Sequence, residues 1–167
     1  MHIRISRFIV AILLTAGFAT LALAKEEKDE KSLSVKDLPA AARATVEKLT
    51  TGGTVKKIDK EEENGKVFFD VEATVKGKDV EYDIAEDGTI LVSEESVEFS
   101  SLPAAVSTAV EKYFGSATGL KASKAIEKGA TTYEVEGKKD GMGVTLTLDE
   151  TGKIIEEEKA SKEEKKD

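Results

Sequence analysis

The sequence reads LPAAARATVEK at residues 38–48 and LPAAVSTAVEK at residues 102–112, so it contains the same helix opening twice, 64 residues apart. Proline is tolerated in the first turn of a helix, because the N–H that it lacks would be unpaired there anyway. Pro39 and Pro103 therefore mark two helix starts, and apolar residues at three- and four-residue spacing continue each helix. Gly52 and Gly115 are natural stops.

The similarity extends well beyond these openings. Residues 36–95 align with residues 100–159 without a gap, and 20 of the 60 positions are identical. After each helix, apolar and polar residues alternate as they do in half-buried strands, most clearly over residues 67–75. The sequence therefore predicts an α+β fold of two tandem repeats, each one helix packed on an approximately four-stranded antiparallel sheet. Because a 60-residue unit is marginal alone, we expect the two to pack together or to share a continuous sheet.

The amino terminus has the pattern of a secretory signal peptide. Arg4 and Arg7 precede an apolar run that ends in the small-x-small sequence ALA at residues 22–24. Cleavage there would leave residues 25–167, with 23 basic and 33 acidic residues and a formal charge of −10. We expect a periplasmic or secreted protein with no stable membrane insertion after cleavage.

The composition excludes several kinds of chemistry. The chain has no cysteine, and its only histidine, His2, lies in the predicted signal peptide. A disulfide, a Ser-His-Asp triad, a Cys-His pair and an ordinary catalytic zinc site are therefore not expected. The acidic balance also argues against nucleic acid, because a phosphate backbone binds to basic surfaces. We expect no enzymatic activity and no cofactor.

Three short patterns give the sequence a family resemblance. They are the LPAA helix opening, the strand elements FDVE at residues 69–72 and YEVE at residues 133–136, and the turn element DGTI at residues 87–90, matched more loosely by TGKI at residues 151–154. Together they resemble the PepSY-like domains of exported bacterial proteins, which are grouped with the beta-lactamase-inhibitor-like fold. The resemblance covers residues 36–159.

The resemblance implies a non-enzymatic binding protein. In the inhibitor-like fold, tandem units set their sheets side by side and form a concave surface that grips another protein. This chain departs from the true inhibitor, which is stapled by disulfides and has an aromatic-rich binding face. It has no cysteine and no tryptophan, and only 5% of its residues are aromatic. The resemblance therefore implies the fold, whereas inhibition of a beta-lactamase is not implied.

The predicted organisation divides the chain into five parts. Residues 1–24 form the signal peptide, residues 25–35 a charged linker, and residues 160–167 a charged tail. PepSY-like repeat 1 spans residues 36–95 and PepSY-like repeat 2 spans residues 96–159. The linker and tail mix both charges with almost no apolar content, so neither can bury enough surface to fold alone.

The candidate binding residues lie on the strand faces that the helices would leave uncovered. In the first half the strand alternation places one exposed aromatic and four acids on this face; in the second half it places mainly threonines there. The partner-binding candidates are Phe68, Asp70, Glu72, Glu81, Asp83, Thr132, Glu134, Thr145 and Thr147. A face kept soluble by its charges is the competing interpretation.

The predicted function is binding of an unidentified partner protein with a basic surface, because acidic side chains attract cationic partners. Inhibition of a protease or other enzyme and an accessory role in the cell envelope are two forms that this binding would take. The alternative is weak binding of calcium or another cationic ligand by carboxylate runs such as residues 61–63. No metal ligands are assigned, because neighbouring strand residues point to opposite faces and no calcium-loop motif is present.

Overall fold

The computed structural model describes residues 33–159, and these form one antiparallel sheet with two helices on one of its faces. The predicted signal peptide, most of the predicted charged linker and the predicted charged tail lie outside the described residues. The helices are α1 (Ala40–Leu49) and α2 (Ala104–Phe114). The strands are β1 (Thr54–Glu63), β2 (Lys66–Val75), β3 (Lys78–Ala85), β4 (Ile90–Val97), β5 (Lys121–Glu127), β6 (Ala130–Lys139), β7 (Met142–Asp149) and β8 (Ile154–Lys159).

The prediction of two tandem repeats, each a helix on its own four-stranded sheet, is wrong. All eight strands form a single sheet in chain order, and β4 pairs with β5 along six residue positions, from Val92 opposite Glu127 to Val97 opposite Ala122. The physical reason is the sheet edge: two separate sheets would leave the backbone groups of β4 and β5 exposed, whereas pairing them satisfies these groups. The internal similarity of the sequence therefore does not correspond to two units that each have their own sheet.

Both helices begin where the prolines predict. Pro39 and Pro103 are the N-cap residues, and α2 ends at Gly115, whose positive φ of 78° is typical of a left-handed helix cap. Each helix buries two residues at four-residue spacing, Ala42 and Val46 in α1 and Val106 and Val110 in α2, all with 0% exposure. These residues contact the sheet and fix the helices on one side of it.

Two apolar clusters lie between the helices and the sheet. One joins α1 to buried residues of β1, β2 and β3, including Ile58, Val71 and Ile84. The other joins α2 to β6 and β7 through residues including Val135 and Leu146. Because side chains alternate along a strand, the residues between these core positions point to the opposite side of the sheet. We call that opposite side, which neither helix covers, the open face.

The turn at Gly88 packs against the start of α1. A Cβ atom added at Gly88 would lie 2.8 Å from the Ala41 carbonyl oxygen, and the Thr45 hydroxyl donates a hydrogen bond of 2.9 Å to the Gly88 carbonyl. The backbone of Gly88 has a φ of +84°, which is strained for any other residue. Glycine is therefore required here both by conformation and by space.

The edge strands β1 and β8 are dense in charge. Their sequences are TVKKIDKEEE and IIEEEK, and charged side chains on an edge discourage pairing with another chain. In addition, the Leu33 N–H donates a hydrogen bond of 3.0 Å to the Ile58 carbonyl, so residues before α1 occupy part of the β1 edge.

We predict that Gly88→Ala destabilises the protein more than Gly129→Ala. Both glycines have a φ above +80°, but a Cβ at Gly129 has no atom within 4 Å. Gly129→Ala thus reports the conformational cost alone, about 1–2 kcal/mol, and Gly88→Ala adds the collision with α1, about 1–3 kcal/mol. Urea unfolding of the two variants measures the difference, and equal losses of stability would contradict the packing of this turn on α1.

Candidate functional site

The open face carries a row of glutamates on three neighbouring strands. In the strand register, Glu72 of β2 lies opposite Glu81 of β3, and Glu81 lies opposite Glu94 of β4. Like charges placed directly opposite each other destabilise a sheet. The row of glutamates therefore lowers the stability of the fold, and strand pairing gives no reason for its presence.

A second group of acids continues the open face beyond the β4–β5 junction. Glu134 of β6 lies opposite Ser123 of β5, and Glu136 lies opposite Lys121. On the other side of β6, threonines of β7 separate these glutamates from two further acids on β8, Glu156 and Glu158. Because β4 pairs with β5, the two acidic groups belong to one continuous surface.

A cavity of about 560 Å³ lies at the junction of these two groups. Six glutamates line it, together with the apolar residues Phe99, Ala117 and Leu120 that follow β4 or α2, and its two lysines are exposed. The glutamates are Glu72, Glu81, Glu94, Glu98, Glu134 and Glu136, and the lysines are Lys56 and Lys121. We call this feature the carboxylate cavity. Its lining favours a ligand with positive charge and some apolar surface.

Burial strongly disfavours the charged form of Glu134. Desolvation, with a smaller contribution from the neighbouring carboxylates of Glu94, Glu136, Glu158 and Glu156, raises the pKa of Glu134 to about 8. Glu134 is therefore predominantly protonated at neutral pH, although most glutamates are ionised there.

Glu94 is held in a similar environment on the adjoining side of the cavity. Desolvation raises the pKa of Glu94, and a hydrogen bond with the Ser123 side chain partly offsets this effect. The Oε1 atom of Glu94 is buried, and among residues 33–159 it has no hydrogen-bond partner. A buried oxygen of this kind costs free energy until a donor reaches it.

All nine residues predicted from the sequence lie on the open face of the one sheet. Of these, Glu72, Glu81 and Glu134 line the carboxylate cavity. Phe68 and Asp70 are 9% and 8% exposed, so neither presents the accessible surface that the alternation predicts. The others, all half-buried, lie on the open face outside the cavity lining: Asp83, Thr132, Thr145 and Thr147.

The list of candidate residues derived from the sequence omits Glu94, Ser123 and Glu136. Glu136 has the same alternation as Glu134, so the pattern of β6 was sufficient to find it. Glu94 lies in the segment ILVSEESV. Because Glu94 and Glu95 are consecutive acids, the sequence does not indicate which of them lies on the core side of the strand. The position of Glu94 becomes evident only from its pairing with Glu81 and with Ala125.

The consecutive glutamates that the sequence offers as calcium ligands do not point to a common site in the structure. Glu61, Glu62 and Glu63 are consecutive residues of β1, so they alternate between the two faces. Within residues 33–159, no group of three or more acidic side chains is placed so as to hold a metal ion. The same part of the chain contains no helix that is long and apolar enough to cross a membrane.

Comparison with known protein families identifies the family of this chain. The sequence profile of the family described as "Putative beta-lactamase-inhibitor-like, PepSY-like" matches residues 68–156, which is more than half of the sequence. The protein belongs to this PepSY-like family, as the sequence motifs predict. No curated protein has a sequence that matches this chain.

Solved structures have the same fold. One, from Bacteroides eggerthii and described among "putative periplasmic proteins", superimposes with a TM-score of 0.59 at 12% identity, covering 73% of this chain and 88% of its own. A BLIP-like protein from Bacteroides fragilis gives a TM-score of 0.54 at 19% identity, covering 74% of this chain and 86% of its own. At these identities the likeness extends to the fold alone.

We predict that the free energy of unfolding decreases as the pH rises from 5 to 8. Glu134 has a folded pKa of about 8 against an ordinary value of 4.5, so it favours folding at low pH, and this contribution is lost as the pH rises through the folded value. A single group of this kind gives a slope of at most about 1.4 kcal/mol per pH unit. Urea unfolding at pH 5, 6, 7 and 8 measures this slope.

Glu134→Gln should flatten this dependence and stabilise the protein at pH 8, because glutamine resembles the protonated acid. Glu111→Gln is the matched control, since Glu111 is exposed on α2 and away from the open face. The control should keep the wild-type slope. An unchanged slope in the Glu134 variant would show that another group causes the pH dependence.

Proposed function

We propose that this protein is an exported, non-enzymatic binding protein whose open face binds a partner protein with a basic surface. The observation that supports this function most strongly is the carboxylate cavity, where six glutamates share a single concavity and five of them come from four strands of one sheet. Like charges are collected there at a cost to stability, and a cationic partner relieves that cost.

The proposed interaction combines charge with apolar contact. Phe99, Ala117 and Leu120 line the same cavity as the glutamates, so a lysine or arginine side chain can pack its alkyl stem against them while its head reaches the carboxylates. Arginine suits this role well, because its planar guanidinium group donates hydrogen bonds to carboxylates in pairs. The expected partner surface is therefore basic and includes at least one protruding cationic side chain.

Two further considerations support the proposal. The family is described as inhibitor-like, which favours binding of another protein over catalysis. The amino-terminal sequence pattern favours export, and a related fold comes from a protein described as periplasmic. We infer that the encounter takes place outside the cytoplasm.

We predict that Glu72→Lys combined with Glu81→Lys abolishes partner capture. These residues face each other across β2 and β3 and both line the cavity, so reversing them replaces attraction by repulsion. The measurement is a crosslinking pull-down from an envelope extract of the source organism, with the purified protein as bait. Addition of 0.5 M salt should weaken capture by the wild-type protein, because exposed charges are screened.

The matched control is Glu47→Lys combined with Glu111→Lys, which changes the net charge equally on exposed helix positions. This control should capture the same partner as the wild-type protein. Capture that survives in the cavity variant, or that is lost equally in both variants, would contradict binding through the open face.

A further inference from the structure

Glu134 lies among acids that come from every strand around it. On β6 its neighbour along the open face is Glu136, and Glu94 of β4 acts on it across β5. Glu156 and Glu158 of β8 act on it across the threonines of β7. Further charged groups on this side include Asp149, opposite Thr132, the cavity-lining Glu98, and the exposed Lys138, which follows Glu136 on the same face of β6.

Positive charge near Glu134 is scarce. Lys121 of β5 lies opposite Glu136, not opposite Glu134, and its side chain is exposed. Lys56 lines the far side of the cavity and forms an ion pair with Asp79. Within residues 33–159, neither Glu94 nor Glu134 nor Glu136 takes part in an ion pair. The residue directly opposite Glu134 on β5 is Ser123, and the one on β7 is Thr147, neither of which supplies a compensating charge.

We infer that binding of a cationic partner at the carboxylate cavity is coupled to the release of a proton from Glu134, so that the open face binds more tightly as the pH rises through the neutral range. This inference rests on the proposed function and specifies its regulation. In the free protein the proton prevents repulsion among the crowded carboxylates. A guanidinium or ammonium group that enters the cavity replaces that proton, because its positive charge offsets the repulsion among the carboxylates.

The coupling follows from the geometry of the cluster. Glu94, Glu134 and Glu136 line the same cavity on two strands of one sheet, β4 and β6, so the sheet keeps their backbone positions close together when they ionise. Burial of Glu134 places its titration close to neutral pH, at about 8. A neighbouring cation stabilises the ionised form and shifts the titration downward, and by linkage the same interaction makes the affinity for the cation depend on pH.

The probe for this coupling is a hexa-arginine peptide, because arginine keeps its charge throughout the range in which Glu134 titrates. Isothermal titration calorimetry of the purified protein at pH 6, 7, 8 and 9 gives the affinity. Repeating the titration in two buffers with different ionisation enthalpies gives the number of protons released. For full coupling the affinity rises by up to about tenfold per pH unit below pH 8 and then levels off.

Two variants and one independent titration accompany this experiment. Glu134→Gln is uncharged at every pH and should bind the peptide with no proton release and no rise in affinity between pH 6 and pH 8. Glu111→Gln should behave as the wild-type protein does. Carbon-detected NMR of the free protein follows the Glu134 carboxyl directly and should show titration close to pH 8.

The outcomes separate the two proposals. Titration of Glu134 near pH 8, with pH-dependent binding that Glu134→Gln removes, supports the coupling. Binding that is independent of pH, or titration of Glu134 near 4.5, overturns the coupling and leaves binding at the open face intact. Titration near pH 8 without binding of the peptide to the wild-type protein contradicts the proposed function, and the coupling fails with it.

Discussion

The hydrogen-bonded pairing of β4 with β5 is the constraint on which the rest of the structure depends. It joins strands from the two halves of the chain, with Glu94 opposite Ala125 and Ser96 opposite Ser123. Without this pairing each half would carry its own exposed edge and its own small acidic face. With it, acids from β2 through β8 share one open face, and the carboxylate cavity lies where the halves meet.

The helix side of the sheet stabilises the fold, and the open face is the proposed binding surface. On the helix side, fully buried valines and leucines supply the apolar burial that a chain without disulfides requires. The open face, by contrast, carries glutamates that lie opposite each other and destabilise the sheet. The pKa of Glu134, raised to about 8, is one measure of the cost, because it reports how strongly that position disfavours a charge.

Local features of the fold were predictable from the sequence, whereas the sequence left open whether the two halves pack together or share a continuous sheet. Pro39 and Pro103 fix the helix starts, and alternation over residues 67–75 identifies β2 and its two faces. The charge-rich β1 extends to Glu63, because its pairing with β2 outweighs the low strand propensity of its lysines and glutamates. The β4–β5 pairing joins residues that lie up to 35 positions apart, and no local pattern encodes such a contact.

Prediction of the candidate site from the sequence is limited in the same way. Alternation correctly places Glu72, Glu81 and Glu134 on one side of their strands, but it cannot show that Phe68 and Asp70 are buried there. Glu94 is found only through its register with β3 and β5. Burial and register are properties of the assembled sheet, so the cavity and the raised pKa values follow from the tertiary structure and not from any single segment.

The most direct test of this account is the measurement of nuclear Overhauser contacts between the backbones of β4 and β5 in solution. The account predicts a continuous antiparallel series from Val92 and Glu127 to Val97 and Ala122, with slow amide exchange in both strands. Absence of these contacts, with amides of β4 and β5 that exchange as rapidly as those of exposed edge strands, would contradict it. The open face would then be two separate surfaces, and the carboxylate cavity would not exist.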